Sequence, residues 1–481
     1  MKNLKRLWMS LFLVLALVLS TQSVSAQSKI QVYINGEKLA NTESVTGSNE
    51  NVMLPLKDVM NVLGGTVTTN SKTKLTSIKY LDKQATVTAG KLEGKINGKT
   101  YKLAIKPVEK NGKLYVPSKF IGEALGKEVY WNSKTSTLTM HDKVKNQNIR
   151  YAKKFSIKYL GRGNKLVTDS LNKKLLLVPY GNDVPKNVKY DQLVRTPIKK
   201  AVVGSATQIS LLDALEGLDA VAGVTNPIDT WEIPEIKSKL AKKQVKNVGD
   251  GMSINFELLQ ALKPSMIFMT SAWDDTAKYK ELGFAYTGCF EYEENTNLGR
   301  LESIRFVGAF VNKDAMAEYH MNKQMVKLEA VKQKVKAVKT KKKVMWGSYS
   351  SYDKAYIVAP KDSYIAEMVS LAGGEYVGNK VTEETKKLSA EKYYLLVKNA
   401  DLMVSSSMPR YGGPETVKAL VKETPILADT KIAKNGNVWY QAPNFYQDLA
   451  NTADYVEDLA AMIYPEYFKS TKVDHFVKMA K

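Results

Sequence analysis

The histidines and the single cysteine of this 481-residue chain are too scattered to build a catalytic or metal centre. His141, His320 and His475 each stand alone, and no histidine pair or histidine–carboxylate spacing of a transition-metal site occurs. Cys289 has no second cysteine to pair with, so an internal disulfide is excluded. No nucleophile–base arrangement is visible either. The sequence therefore predicts no enzyme, no cofactor and no bare transition-metal site, although a ferric ion held by some of the 26 tyrosines stays an open alternative.

Aromatic and polar side chains follow the ends of the predicted strands instead. Ligands of open α/β sheets bind beside the carboxyl ends of the strands, so these positions are candidate binding residues. Flat aromatic walls suit a large, partly apolar ring, and the one cation, Arg410, would pair with a carboxylate or another anion. Each aromatic residue taken alone is equally compatible with core packing. The predicted ligand-binding residues are Ser205, Thr207, Asn226, Trp273, Trp346, Tyr349, Met408, Arg410, Tyr411, Tyr440, Asn444 and Tyr446.

Strands and helices alternate after residue 143, which predicts an α/β fold of two lobes with parallel sheets. Lobe one covers residues 143–310 and lobe two covers residues 341–481. Residues 311–340 contain neither Pro nor Gly and are apolar at every third or fourth position, which predicts one connecting helix about 45 Å long. Each lobe holds an acid–helix–buried-strand unit: "SINFELLQALKPSMIFMT" at 253–270 and a looser copy, "LSAEKYYLLVKNADLMVSS", at 388–406.

A repeat precedes these lobes. Residues 52–78 recur at 114–140, with identical Asn-Ser-Lys-Thr strings at 70–73 and 132–135. Each copy reads as a short strand, a proline, an amphipathic helix stopped by glycine, and a hairpin. One copy cannot cover its own apolar face, so the two should pack together as a small α+β domain over residues 27–142.

The first 26 residues have the composition of a secretory signal peptide. Lys2, Lys5 and Arg6 precede the apolar run "MSLFLVLALVL", and "VSA" precedes Gln27. This order predicts export with cleavage after Ala26.

Charge and cysteine position indicate where an exported chain of this kind acts. The 71 Lys+Arg against 48 Asp+Glu give a net charge of +23, spread along the chain without an arginine-rich segment. Such a charge favours anionic cell-wall polymers over nucleic acid as partners. Cys289 lies far from the cleavage site, so we expect no lipid anchor on a cysteine. We predict a monomer at the surface of a Gram-positive envelope.

Two family resemblances follow from these motifs. The half-repeat "VPSKFIGEALGKEVYWNSKTSTLTM" resembles the copper amine oxidase-like N-terminal domain of exported bacterial proteins, a module without an oxidase site. Residues 150–470 resemble the helical-backbone (TroA-like) class of substrate-binding proteins of ABC importers, which deliver ferric siderophores, haem or cobalamin. The segments that carry this resemblance are "NVGDGMSINFELLQALKPSMIFMT", "DSYIAEMVSLAGGEYVGNK" and "YYLLVKNADLMVSS".

The second resemblance implies a function and two docking residues. A member of this class would capture a metal complex between its lobes and present it to a membrane permease through one exposed acid on each lobe. Glu257 matches the lobe-one position and Glu391 is the lobe-two candidate, with Glu383 or Glu384 as alternatives because the spacing to the next strand differs by two residues. The competing hypothesis is a wall-associated adhesion or scaffold protein whose two-lobed domain does not transport.

Overall fold

The computed structural model describes residues 30–40, 45–47, 49–144, 149–250, 253–270 and 275–481. The chain forms two compact units, Met1–His141 and Asp142–Lys481. Within the described ranges no helix is both long enough and apolar enough to cross a membrane. The predicted signal peptide and Trp273 lie outside the described residues.

The N-terminal unit repeats a strand–helix pair. Its helices are α1 (Leu56–Leu63) and α2 (Ser118–Leu125). Its strands are β1 (Gln31–Ile34), β2 (Glu37–Lys38), β3 (Met53–Pro55), β4 (Thr66–Thr69), β5 (Leu75–Tyr80), β6 (Lys83–Thr88), β7 (Glu93–Ile96), β8 (Lys99–Lys102), β9 (Val108–Lys110), β10 (Lys113–Pro117), β11 (Lys127–Asn132) and β12 (Thr137–Asp142). Strands β3 and β10 pair antiparallel, and each leads into its helix. The helices end at Gly64 (φ 75°) and Gly126 (φ 66°), a left-handed backbone that glycine adopts without strain.

The repeated Asn-Ser-Lys-Thr string forms a turn in both copies. The side-chain oxygen of Asn70 accepts hydrogen bonds from the main-chain N–H groups of Lys72 at 2.9 Å and Thr73 at 3.0 Å. Asn132 accepts in the same way from Lys134 at 3.1 Å. An asparagine that binds its own backbone two residues ahead favours a turn, which explains why this residue type recurs. Buried apolar side chains of both copies form one core.

The second unit begins with a four-stranded sheet of β13 (Ser156–Tyr159), β14 (Lys165–Thr168), β15 (Lys174–Pro179) and β16 (Gln192–Thr196). Strand β14 pairs antiparallel with both β13 and β15, and β16 runs parallel to β15.

Lobe one is a five-stranded parallel sheet in the order β19-β18-β17-β20-β21. Its elements are β17 (Ala201–Val203), α3 (Ala206–Ala214), β18 (Val221–Val224), α4 (Pro234–Ala241), β19 (Lys246–Asn247), α5 (Phe256–Leu262), β20 (Met266–Met269), α6 (Thr276–Glu281) and β21 (Tyr286–Gly288). After β17 the chain adds β18 and β19 on one side of this strand, and then β20 and β21 on its other side. The loops after β17 and β20 therefore diverge and leave a crevice at the carboxyl ends of these strands.

The predicted connecting helix over 311–340 is α8 (Asp314–Val335), which begins three residues later and ends five residues earlier than predicted. A further helix, α7 (Asn297–Phe310), directly precedes it. Asn312 has a φ of 53°, and Lys313 donates its N–H to the carbonyl of Gly308 at 2.9 Å. Asparagine tolerates this left-handed conformation, so it ends a helix where the sequence shows neither Pro nor Gly. The predicted apolar stripe is confirmed, with Ala317, Met321, Leu328 and Val331 buried and Met325, Val335 and Val338 half-buried.

Lobe two is a mixed sheet with a parallel centre. Strand β22 pairs parallel with β24 and β26, and β26 pairs parallel with β27. Strand β23 pairs antiparallel with β22 and with the edge strand β25, and the edge strand β28 pairs antiparallel with β27. The elements are β22 (Lys343–Ser350), β23 (Ala355–Val358), α9 (Tyr364–Leu371), β24 (Glu375–Tyr376), β25 (Lys387–Leu388), α10 (Ala390–Val397), β26 (Leu402–Ser405), α11 (Val417–Glu423), α12 (Lys431–Asn435), β27 (Val438–Gln441), α13 (Thr452–Ile463) and β28 (Phe476–Lys478). The α/β fold class is confirmed, while the limits of the two lobes stay predictions.

Candidate functional site

The lobe-one wall of the candidate site is built on the end of β17. Gly204 is needed here, because a Cβ would lie 2.5 Å from the methyl group of Thr270 after β20. Ser205 caps α3, and both Ser205 and Thr207 donate a side-chain hydrogen bond to the carboxylate of Glu291, the serine at 3.3 Å. Glu291 is 1% exposed. The two predicted hydroxyl residues thus hold a buried carboxylate inside lobe one.

Glu291 was missed by the sequence reasoning, although it follows β21 by only three residues. Its second oxygen accepts from Gln208 at 3.4 Å, and the same amide donates to the carbonyl of Cys289 at 2.7 Å. Burial, followed by the charge of Glu291, raises the pKa of the Cys289 thiol well above its usual value. Cys289 is therefore an inert core residue, in agreement with its burial.

Asn226 follows β18 and organises the next loop. Its side-chain oxygen accepts from the hydroxyl of Thr225 at 3.1 Å, and its carbonyl accepts from the indole N–H of Trp231 at 3.1 Å. Trp231 is 1% exposed and anchors residues 226–233 against lobe one. That loop reaches lobe two.

Trp346 does not stand at a strand end, so this part of the prediction is wrong. Strand β22 continues to Ser350, which leaves Trp346 in mid-strand with no exposed surface. Its ring packs against Phe445 and Phe476, with centroid distances of 6.2 and 5.7 Å. Met408, after β26, is also buried at 4% exposure. Both belong to the interior of lobe two.

Tyrosines form the accessible part of the lobe-two wall. Tyr349, Tyr411 and Tyr446 are 39%, 75% and 40% exposed. Tyr440 is half-buried at the end of β27, and burial, followed by the charge of Glu415, raises its pKa. These rings remain candidate ligand contacts.

Arg410 links the two lobes. Its guanidinium donates to the carbonyl of Thr230 in lobe one at 3.3 Å and to the carbonyl of Pro443 in lobe two at 3.4 Å. Glu232 lies 4.0 Å away, and the ring of Tyr411 is 5.7 Å from the guanidinium carbon. Two N–H donors of the Arg410 guanidinium thus bind main-chain carbonyls of the two lobes, and its predicted pairing with an anionic ligand stays a prediction.

Gln447 makes the shortest of these contacts and was not predicted. Its amide nitrogen donates to the carbonyl of Thr230 at 2.7 Å, and its oxygen accepts from the N–H of Glu232 at 2.7 Å. Nearby, Ser210 of α3 accepts from the N–H of Ala450 at 3.1 Å. The lobes thus touch along one side of the cleft.

A cavity of about 320 Å³ lies beside this contact, between α3, the loop at 232–234, α8 and residues 444–451. Asp213 and His320 line it. Burial, followed by the charges of Glu235 and Asp448, raises the pKa of Asp213. Burial also lowers the pKa of His320, against its hydrogen bond to the carbonyl of Ala450. Asn444, a predicted ligand residue, is half-buried and belongs to this lining.

Glu257 and Glu391 occupy the same position in equivalent helices. Asn255 caps α5 by accepting from the N–H of residue 258 at 3.1 Å, and Glu257 is the second residue of that helix. Ser389 caps α10 in the same way at 3.4 Å, and Glu391 is again the second residue. Both acids are exposed, and among the described residues neither pairs with a cation.

The spacing from the acid to the following strand differs by two residues between the two lobes. This difference arises at the carboxyl ends of the two helices. Helix α5 stops at Lys263, whose backbone is left-handed (φ 52°), directly before Pro264. Helix α10 is followed by Lys398, whose backbone remains right-handed. The alternative acids are engaged locally, because Glu383 pairs with Lys386 and Glu384 accepts from the hydroxyl of Thr382 at 2.6 Å.

Comparisons with known proteins agree with both resemblances. Residues 202–444 match the family model described as periplasmic binding protein, and residues 33–140 match that of the copper amine oxidase N-terminal domain. A Methanocaldococcus jannaschii protein named as an uncharacterized lipoprotein is 27% identical over 376 residues, which cover 72% of this chain and 89% of that protein. The high-affinity heme uptake system protein IsdE of Staphylococcus aureus is 32% identical over 205 residues, which cover 41% of this chain and 66% of that protein.

The crystal structure of a periplasmic heme binding protein from Pseudomonas aeruginosa superimposes with a TM-score of 0.47 and 19% identity, over 59% of this chain and 98% of that chain.

Proposed function

The chain belongs to the periplasmic binding protein family, and from this premise we propose that it is an exported solute-binding protein that delivers its ligand to an ABC permease. The ligand is an iron complex, a siderophore or haem, or a cobalamin-like molecule, held between the lobes. The Staphylococcus aureus relative is named as a heme uptake protein, which supports the iron-complex class.

The matched acids carry this proposal. Glu257 and Glu391 each stand at the second residue of a capped helix, one on each lobe, and both are exposed. Exposed carboxylates pair readily with arginines of a partner and contribute to orientation and association rate more than to affinity. Apolar side chains flank them, since Leu258 is 48% and Leu395 is 54% exposed. A pair of acids rimmed by apolar surface is suited to a reversible docking contact.

The lobe-two tyrosines support a ligand with flat or apolar groups. Tyr349, Tyr411 and Tyr446 of lobe two are partly exposed, by 39%, 75% and 40%. Aromatic rings contribute large contact area at low conformational cost. The predicted contacts Ser205, Thr207, Asn226, Tyr440 and Asn444 stay proposals.

Charge reversal of the two acids tests delivery separately from binding. We expect Glu257→Lys combined with Glu391→Lys to leave the Kd for a bound iron complex unchanged and to reduce uptake of ⁵⁵Fe in the native host to the level of a strain without the protein. Glu383→Lys combined with Glu384→Lys is the matched control and should transport normally. Normal uptake by the first variant would remove the docking role of these acids.

The wall-associated scaffold remains the second candidate. Residues 33–140 match a separate domain family, and the chain has a net charge of +23. Both features favour attachment of the chain to an anionic envelope. Attachment is compatible with transport, so only the absence of both ligand binding and uptake would favour the scaffold.

A further inference from the structure

The five-stranded sheet of the N-terminal unit exposes one of its two faces. Its strands lie in the order β4-β5-β6-β7-β8, and each pairs antiparallel with the next. Exposure alternates along them: in β5, Ile78 is buried in the core of the unit, whereas Ser77 and Lys79 on either side are exposed. Side chains of a strand point alternately to the two faces of a sheet, so Ser77 and Lys79 lie on the face opposite the core. We call this face the outer face.

Hydroxyl side chains form a row across the outer face. The strand register places Thr68 opposite Ser77, Ser77 opposite Thr86, Thr86 opposite Lys95, and Lys95 opposite Thr100. Residues directly opposite each other share a face, and neighbouring strands are about 4.8 Å apart, so the row crosses all five strands over about 19 Å. Thr86 is half-buried and the others are exposed. The three threonines and the serine, here called the hydroxyl row, can each donate and accept a hydrogen bond.

Lys79, Lys95 and Lys102 place three positive charges on the same face. Lys79 and Lys102 are each two residues away from a member of the hydroxyl row on their own strand, so they share the outer face with Lys95. All three lysines are exposed. From the spacing and rise of the strands, the main chain of Lys95 lies about 8 Å from that of Lys102 and about 12 Å from that of Lys79. Glu93, opposite Lys102, is the one acid on this face of the described strands, so the face is positively charged.

The segment that forms this sheet carries more charge than its length accounts for. Residues 72–113 contain eleven lysines and three acidic residues. An even spread of the net charge of +23 over 481 residues would give a segment of this length a charge of about +2. A polyanion is therefore attracted to this part of the N-terminal unit in particular.

The second copy of the repeat shows that the repeat folds without such a face. At the offset of 62 residues, Thr68 corresponds to Tyr130, which is half-buried, and Lys79 corresponds to His141, which is buried. The helix-ending glycine and the turn asparagine are the same in both copies. The residues that shape the repeat are thus shared, whereas the outer face belongs to the first copy alone.

A flat face of hydroxyl and ammonium groups suits an extended, hydroxyl-rich polyanion. Lysine binds phosphate as a point charge, and serine and threonine hydroxyls donate to phosphate oxygens. The same hydroxyls can exchange hydrogen bonds with the hydroxyls of a polyol or sugar. A face about 19 Å wide offers several such contacts to successive units of one polymer chain.

We propose that the hydroxyl row, together with Lys79, Lys95 and Lys102, binds a polyol-phosphate polymer of the cell wall. This surface would fix the N-terminal unit to the wall. The proposal is independent of the ligand carried between the lobes, because every residue that it uses lies in the N-terminal unit.

Sedimentation of the full chain with purified Gram-positive cell walls tests the three lysines. At about 0.1 M NaCl, we expect Lys79→Gln combined with Lys95→Gln and Lys102→Gln to weaken wall binding about tenfold or more. The matched control removes the same charge from exposed helix positions of the second unit: Lys323→Gln, Lys418→Gln and Lys422→Gln. The control should bind within about twofold of the wild type. Equal binding by the two triple variants would assign attachment to general charge and overturn the proposal.

Thr68→Val combined with Thr86→Val and Thr100→Val tests the hydroxyl row without changing the charge. Valine keeps the branched shape that suits a strand, so the Tm should stay within about 3 °C of the wild type. Wall binding should weaken about threefold or more. Binding equal to the wild type would overturn the proposal. If the Tm falls further, the same three positions changed to serine decide: retained binding supports the hydroxyl row, and lost binding overturns it.

Soluble polymers and extracted walls identify the occupant. Poly(glycerol phosphate) should release the wild type from walls and dextran should not, and walls stripped of phosphate polymers by hydrofluoric acid should not bind it. Release by alginate as effective as that by poly(glycerol phosphate) would overturn the choice of phosphate over carboxylate. A dimer in solution that the lysine variant abolishes, with wall binding unchanged, would make a second copy the occupant and overturn the proposal. The lysine variant should bind iron complexes with the wild-type Kd, so the two proposals fail separately.

Discussion

The side-chain amide of Gln447 in lobe two donates a 2.7 Å hydrogen bond to the main-chain carbonyl of Thr230 in lobe one. The oxygen of the same amide accepts from the N–H of Glu232, so one side chain satisfies two main-chain groups of the opposite lobe. Arg410 adds a third contact to the carbonyl of Thr230. The loop at 230–232 of lobe one is therefore one place where side chains of lobe two bind it.

Truncation of this contact should weaken the protein measurably. Gln447→Ala removes two hydrogen bonds from a side chain that is 9% exposed, and we expect the free energy of unfolding to fall by about 1–3 kcal/mol. Gln333→Ala, on the exposed face of α8, should change it by less than about 0.5 kcal/mol. Chemical denaturation of both variants measures the difference. Equal effects of the two substitutions would show that the contact between lobes adds nothing to stability.

His475 makes stability depend on pH. Its two ring nitrogens contact the carboxylates of Asp448 and Asp458, each at 2.8 Å. Burial alone would lower the pKa of His475, but the two carboxylates outweigh it and raise the pKa to about 9. Because the folded pKa lies above the unfolded value, this stabilisation is complete below about pH 6.5 and is lost as the pH rises through about 9.

The comparison of wild type with His475→Gln isolates this effect. The wild type should exceed the variant in free energy of unfolding at pH 6, and this excess should shrink by an amount on the order of 3 kcal/mol between pH 6.5 and pH 9. Equilibrium denaturation at a series of pH values gives the excess directly. An excess that stays constant or grows with pH would contradict the pairing.

Glu302 binds the main chain of residues 150–152, near the start of the second unit. Its carboxylate is fully buried in α7 and accepts from the main-chain N–H groups of Arg150 at 3.0 Å, Tyr151 at 2.7 Å and Ala152 at 2.9 Å. Glu302→Ala leaves these donors without an acceptor, so we expect a loss of about 3 kcal/mol or more in the free energy of unfolding.

Trypsin should also cleave the Glu302→Ala variant faster after Lys153 or Lys154, because the segment at 150–154 loses its anchor. Glu329→Gln, on the exposed face of α8, is the control and should behave as the wild type. If cleavage at these two lysines is equally slow in both variants, the carboxylate does not hold the segment.

The basic charge should make attachment to the envelope depend on salt. With a net charge of +23, the full chain should sediment with purified cell walls at 0.05 M NaCl and be released as the Debye length falls to about 3 Å near 1 M salt. Retention at 1 M salt would indicate a specific wall ligand in place of general attraction to anionic polymers.

The elements of the fold were predictable wherever the sequence repeats itself or alternates regularly. The helix caps and turns of residues 52–140 follow from Pro, Gly and Asn at fixed spacing, and the stripe of α8 follows from its three- and four-residue steps. The exact start of α8 was less predictable than the stripe, because Asn312 ends the preceding helix only when its backbone turns left-handed.

The candidate site was harder to predict because it depends on where strands end. Trp346 looked like a strand end but lies in mid-strand, since β22 extends to pair with β23. Counted from the helix caps, Glu391 holds the same helix position as Glu257, and its docking role stays a prediction.

The most direct test of the account is an intrinsic tryptophan fluorescence titration of the full chain with hemin, ferric hydroxamate and catecholate siderophores, ferric citrate and cobalamin. We predict saturable quenching with a Kd in the micromolar range or below for at least one iron complex, weakened when Tyr446 or Tyr411 is replaced by alanine. The absence of saturable binding by every ligand of this series would contradict the proposed function.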